Sequence, residues 1–157
     1  MSLDAPKTRA VDGAGFRLGL VAARFNEALD DGVLARVIGG LRAAGVKDDG
    51  IALVRVPGSH EVPWAANAFA RGGECDCVIA LGVLIGGDTN HHELVGESVS
   101  HALQRVAIDT GVPVINGVIV VDTPAQARAR CVGKINRGTE FAAAALEMAA
   151  LRRRFSR

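Results

Sequence analysis

The chain has 157 residues, a formal net charge of +1 and three cysteines. That length suits one compact domain with a good core and leaves no room for a separate cofactor domain. The near-neutral balance gives no electrostatic reason for a nucleic acid or an anionic membrane to be the partner.

No apolar run reaches the roughly 18 residues of a membrane span, so no membrane association is expected. Aromatics are only 4% of the chain and tyrosine is absent, which leaves few rings to stack on successive bases. Cys75, Cys77 and Cys131 are odd in number and lack paired zinc-ligand spacing, which reads as reduced thiols in a cytoplasmic protein.

In chain order, residues 1–15 mix charges with small side chains and lack the apolar centre of a signal peptide. They are expected to be a flexible arm ahead of a single domain over 16–157. An apolar strand over 17–22 leads into Arg24-Phe25-Asn26-Glu27 and a helix over 28–44, which Gly45 closes. Val33, Val37, Ile38 and Leu41 put one apolar stripe on that helix. A second strand, 51–56, is broken by Pro57-Gly58, and a helix over 60–71 follows with Pro63 in its first turn. A third strand, 76–84, runs into Gly86-Gly87, and a helix over 92–110 ends at Gly111-Val112-Pro113. The fourth strand is 114–121. Thr123-Pro124 starts a helix reaching 131, and an alanine-rich helix reaches 154 after a break at 133–138.

Strands alternating with helices of this length imply right-handed βαβ crossovers, hence an α/β single-domain three-layer sandwich: a four-stranded parallel sheet covered by helices on both faces. Such folds bind ligands at the carboxyl ends of the strands.

The loops at those ends hold nearly all the reactive side chains. Phe25 suits a stacking platform for a flat heterocycle, or equally a core residue at a loop base. Ser59, His60 and Glu61 offer a hydroxyl, an imidazole and a carboxylate to a polyhydroxylated ligand, or else cap the helix that follows. Gly86-Gly87 let backbone approach a ligand, and Asp88, Thr89 and Asn90 are natural capping residues at a helix start whose amides and dipole favour an anion such as phosphate. His91 or His92 supplies a proton carrier beside it. Being adjacent, the two point about 100° apart and cannot share one metal ion as an i, i+4 pair does. Arg130 is a candidate fork for phosphate, against the ordinary reading of a solvated helix face. Asn116, inside an apolar strand, needs a partner from backbone, ligand or a neighbouring subunit.

Four segments taken together closely resemble the lumazine synthase family: Arg24-Phe25-Asn26; Val56-Pro-Gly-Ser-His-Glu-Val-Pro63; Ala80-Leu-Gly-Val-Leu-Ile-Gly-Gly-Asp-Thr-Asn-His91; and Gly111-Val-Pro-Val-Ile-Asn-Gly117. Arg130 and Glu147-Met-Ala-Ala-Leu151 follow in the same order, so the resemblance spans nearly the whole chain. It implies a sheet in flavodoxin-like order and a transferase acting on small-molecule substrates. The reaction is condensation of 5-amino-6-(D-ribitylamino)uracil with 3,4-dihydroxy-2-butanone 4-phosphate, giving 6,7-dimethyl-8-ribityllumazine, the penultimate step of riboflavin biosynthesis. No cofactor and no metal are implied. In the roles carried over, Phe25 stacks on the pyrimidine and Ser59, His60 and Glu61 line the ribityl and ring contacts. Val83, Leu84 and Ile85 give backbone contacts to the ring. Asp88 and Thr89 lie at the phosphate-binding helix start, Arg130 clamps the phosphate, and His91 carries the proton. Asn116 matches a position contributed by a neighbouring subunit, which implies a homo-oligomer, a pentamer or a multiple of pentamers, with the site at the subunit interface.

Several positions depart from the family's usual pattern. Gly86 stands where an arginine is common, His92 where a tyrosine or phenylalanine is, and His60 where an apolar or aromatic residue is frequent. Asp88 sets a carboxylate beside the expected phosphate site. Either Lys134 or Arg137 fills the family's basic position near the pyrimidine. A flavodoxin-like electron carrier is disfavoured, since Arg24-Phe25-Asn26-Glu27 is a poor phosphate loop. A flavin- or lumazine-binding or shell-forming homologue with weak catalysis is the alternative reading.

Overall fold

The apolar runs pair into one sheet. In the computed structural model, which describes Lys7 and residues 9–156, β1 is Leu18–Ala23, β2 Ile51–Val56, β3 Cys77–Ile85 and β4 Val114–Val121. All pairings are parallel and the order is β2-β1-β3-β4. The helices are α1 Glu27–Ala43, α2 Val62–Arg71, α3 His91–Thr110, α4 Pro124–Cys131 and α5 Arg137–Phe155. The expected α/β sandwich with a four-stranded parallel sheet is therefore the architecture observed.

The period of two along each strand divides the core. Leu18, Leu20 and Ala22 of β1 and Cys77, Ile79 and Leu81 of β3 face α1, α4 and α5, where Val33, Val37, Leu41, Ala127, Ala145 and Ala149 complete one apolar layer. Val21, Ala23, Val78 and Ala80 face the other way and meet Val62, Ala66, Val99 and Leu103 of α2 and α3. The alanine-rich sequence of α5 has a packing reason: a Cβ on Gly40 of α1 would stand 2.9 Å from the Ala142 methyl, and one on Gly138 would stand 2.7 Å from the Val33 carbonyl oxygen. Small residues let α1 and α5 approach that closely.

Punctuation follows the sequence. After α1, Gly45 adopts φ 98°, and the Val46 amide donates to the Leu41 carbonyl at 3.0 Å. Thr123 caps α4 by accepting from the Gln126 amide at 3.2 Å. One boundary differs from expectation: residues 59–61 form a separate 3₁₀ turn, and α2 starts at Val62. The cause is Glu61, whose Oε2 accepts from the Gly58 amide at 2.9 Å and holds the chain in a tight turn before the helix begins. At the N-terminus, the expected arm includes residues 1–6 and 8, which lie outside the described residues. The described end of that stretch is held: the Gly13 amide donates to the Ala44 carbonyl at 2.6 Å, and Val11 packs against the core. No helix among the described residues is long and apolar enough to cross a membrane.

Cys75, Cys77 and Cys131 are all free and buried. Burial pushes the Cys77 thiol up to about 12 and that of Cys131 to about 11, so neither forms a thiolate nucleophile at neutral pH.

Asp30 is the fully buried carboxylate among the described residues. It lies fully enclosed in the first turns of α1, with Oδ2 3.3 Å from Arg55 Nη1 and Oδ1 without a hydrogen bond. Desolvation, only partly countered by Arg55, raises its carboxyl from the ordinary 3.8 to about 7. Between those values the folded chain holds a proton that the unfolded chain has lost, so stability falls as pH rises from 3.8 to about 7 and the full penalty applies above that. The penalty is on the order of 4 kcal/mol. Asp30→Asn is expected to melt near the parent temperature at about pH 5 and above it at about pH 8. Melting curves across that range check this, and a pH-independent difference would contradict it.

Candidate active site

The strand register opens the site. β3 pairs with β1 only as far as Leu81 but with β4 through Ile85. Residues 82–85 therefore carry one backbone edge with no strand beside it, and such groups need partners. Asn26 supplies one, donating from Nδ2 to the Val83 carbonyl at 2.9 Å. A cleft of about 430 Å³ lies along this edge, with Val83, Leu84 and Ile85 as its back wall.

The β1–α1 loop forms one side. Asn26 sits at φ 56°, the left-handed region that asparagine tolerates better than most residues. This reversal swings Phe25 out to 70% exposure on the cleft rim. Its ring lies 3.2 Å from where a Cβ on Gly58 would stand, so only glycine there lets the ring come so close. Of the two readings of Phe25, the exposed rim ring is the one observed.

The turn at 58–61 forms the floor and second side. Ser59 is 4% exposed, and its Oγ is enclosed without a hydrogen-bond partner among the described residues. It packs directly over Gly82, whose missing side chain makes the space. His60 and Glu61 are exposed, with Nδ1 and Oε1 4.0 Å apart. Glu61 thus has one carboxylate oxygen occupied by the Gly58 amide and the other toward His60.

The far side is the start of α3. Asn90 occupies the cap position, but its side chain makes no capping bond, contrary to the simplest sequence expectation. Thr89, His91 and His92 line the cleft; Asp88 is exposed and does not. The adjacent histidines diverge as helical spacing requires. His91, the first residue of α3, is exposed, whereas the His92 side chain is only 12% exposed and turns toward Gly86 and Asp122.

Asn116 and Arg130 stand elsewhere. They share a second concavity of about 470 Å³ beside the edge strand β4, with Arg137 and Phe141. Asn116 Oδ1 accepts from the Val118 amide at 3.1 Å, and Arg130 Nη1 donates to the Gln126 carbonyl at 3.0 Å. No residue lines both hollows. A single chain thus gathers Phe25, Ser59, His60, Glu61, Val83, Leu84, Ile85, Thr89 and His91 into one cleft, and leaves Asn116 and Arg130 out of it. Lys134 is exposed, while Arg137 joins the second hollow and pairs with Glu140.

Sequence reasoning missed Asn26 and Val95 as lining residues. Asn26 had a usable signal, an asparagine between a strand end and a helix start. Val95 had none, since it reads as one more apolar position on α3.

Residues 15–153 match the family described as 6,7-dimethyl-8-ribityllumazine synthase. Proteins of that name similar to this chain include one from Thermococcus gammatolerans, 43% identical over 90% of this chain and 91% of its own length. Another, from Cupriavidus metallidurans, is 43% identical over 90% of this chain and 82% of its own. A third, from Xanthomonas campestris pv. campestris, is 42% identical over 84% and 86%. With a match across almost the full sequence and the strand-end cleft where the motifs fall, the chain belongs to the 6,7-dimethyl-8-ribityllumazine synthase family.

Proposed function

We propose that the chain condenses 5-amino-6-(D-ribitylamino)uracil with 3,4-dihydroxy-2-butanone 4-phosphate, yielding 6,7-dimethyl-8-ribityllumazine, phosphate and water, in a site shared by two copies of the chain. The observation that carries this reading is the unpaired backbone edge of residues 82–85 facing an exposed Phe25 and the start of α3. A flat heterocycle with amide-like edges stacks on Phe25 and exchanges hydrogen bonds with the backbone of Val83, Leu84 and Ile85. Ser59, His60 and Glu61 hold the ribityl chain. Thr89 and the first amides of α3, where the helix dipole is positive, receive the phosphate, with Asp88 at the same helix start but outside the cleft lining.

Imine formation, phosphate loss and ring closure move protons without net electron transfer. Enforced proximity, an anion site and one proton carrier are therefore enough, and His91 at the cleft mouth is that carrier.

The second hollow supplies the other half. Arg130 and Arg137 beside Asn116 on the edge strand give an anion clamp and an amide that a neighbouring copy presents to the first cleft. Arg137, rather than Lys134, takes the basic position near the pyrimidine. Exposed Leu53 and Val54 on β2 and Trp64 on α2 add apolar area for assembly, in a pentamer or a multiple of it. The enzyme works in the cytoplasm, a reading supported by three buried free thiols.

Mixing purified protein with both substrates and following lumazine absorbance tests the reaction; binding without turnover would instead favour a lumazine-binding homologue. His91→Ala is expected to slow turnover about 10² to 10⁴-fold without abolishing it, as for the loss of one general acid or base. Arg130→Ala is expected to act mainly by raising KM for the phosphorylated substrate. Co-assembling these two variants tests the shared site: random mixing restores about a quarter of the sites, each joining an intact His91 to a partner's intact arginine. Activity no higher than the sum of the two variants would place both residues in one chain's site.

A further inference from the structure

His92 lines the cleft but carries no step of the condensation as described, and its surroundings are unusual. Its side chain is 12% exposed, both ring nitrogens are enclosed, and neither makes a hydrogen bond among the described residues. Enclosing two polar nitrogens without partners is costly unless something satisfies them. The Asp122 carboxylate faces the ring, with Oδ1 3.6 Å from Nε2. That gap is too long for a hydrogen bond. It matches the spacing of two donors about 2.1 Å from one ion, which stand roughly 3.4 to 3.6 Å apart at tetrahedral to trigonal angles. Glu93, the next residue of the same turn, completes a group whose ligand atoms all lie within 4.8 Å of one another.

The three donors are held by elements fixed for other reasons. His92 and Glu93 belong to the first turn of α3. Asp122 follows β4, and its amide donates to Gln126 Oε1 at 2.9 Å, so its backbone is anchored while its carboxylate remains exposed. Gly86 keeps the space open: a Cβ there would lie 3.2 Å from His92 Nε2 and 2.7 Å from the Asp122 carbonyl oxygen. His92 and Glu93 are consecutive too, but the longer glutamate chain reaches back far enough to bring its carboxylate within 4.8 Å of the other two ligand atoms, a group that His91 does not join.

We propose that His92, Glu93 and Asp122 form a binding site for a divalent transition-metal ion of the zinc type, with water completing the coordination. One imidazole and two carboxylates favour such an ion over magnesium or calcium, which take oxygen donors. The bound ion ties the first turn of α3 to the end of β4. Its role is structural, and no step of the condensation runs through it.

The test uses chelator-treated full-length protein titrated with Zn²⁺ alone, and with Co²⁺ as a coloured probe. The expected result is one Zn²⁺ per chain, a higher melting temperature with Zn²⁺, and no displacement by excess Mg²⁺. Asp122→Asn and Glu93→Gln, both at exposed carboxylates, should each weaken binding at least about tenfold and reduce the melting shift, while His101→Ala leaves both unchanged. Absence of Zn²⁺ uptake by the parent chain, or uptake indifferent to Asp122→Asn and Glu93→Gln, overturns the proposal. The first outcome would leave His92 and Asp122 as neighbours with no ion between them. Lumazine formation is measured separately, so failure of the metal site is distinguished from failure of the condensation.

Discussion

The site depends on β1 stopping four residues before β3 does. A parallel strand in mid-sheet normally has both backbone edges consumed by neighbours. Here β1 turns away at Ala23, and the edge of residues 82–85 is left to other partners. Only one local conformation makes that departure tight: Asn26 in the left-handed region, with its side-chain amide returned to the Val83 carbonyl. The same residue therefore ends the pairing, starts α1 and projects Phe25 over the exposed edge. Because all strands run the same way, the loops after β1, β2 and β3 arrive at one rim without further instruction.

Holding that junction has an electrostatic cost. Arg55, at the end of β2, reaches both the Ala23 carbonyl and the buried Asp30, each at 3.3 Å, and also pairs with Asp31. It thereby braces the last residue of β1 against the first turns of α1, on either side of the Phe25 loop. Asp30 must lose most of its hydration to take part, which is why its carboxyl holds a proton to about 7. An apolar residue would pack at less cost but would offer the guanidinium no acceptor there.

Much of this order was legible in the sequence, and the exceptions have a common character. Buried parallel strands read as continuous apolar runs, and Gly45, Gly111 and Thr123 mark helix ends through local backbone chemistry, so the elements and layers were accessible. The turn at Ser59–Glu61 was not, because it depends on a side-chain carboxylate folding back onto the Gly58 amide. Nor was the enclosure of Asp30, since an acid in the first turn of an amphipathic helix reads as a dipole partner at the surface. The unpaired edge of β3 is a matter of register between strands distant in sequence, which no local pattern encodes. Residue chemistry left Asn116 and Arg130 open between ordinary and functional readings, and only the family resemblance gave them definite roles. One chain sets them in a hollow apart from His91, so their value to a site depends on a second copy.

The paired histidines show how a departure at one position demands another. Successive residues on a helix cannot face the same way, so with His91 open to the cleft, residue 92 must enter the space between the ends of β3 and β4. That space is bounded by backbone: the Gly86 amide donates to the Val121 carbonyl at 2.8 Å, which fixes how near the two strand ends lie. A side chain at 86 would meet the Asp122 carbonyl at 2.7 Å before it reached the imidazole. An arginine at 86, common in this family, would have to open that corner or leave by another route. Gly86 and His92 are thus one substitution in physical terms, a corner emptied of one side chain and filled by the ring of another, with Asp122 left facing it.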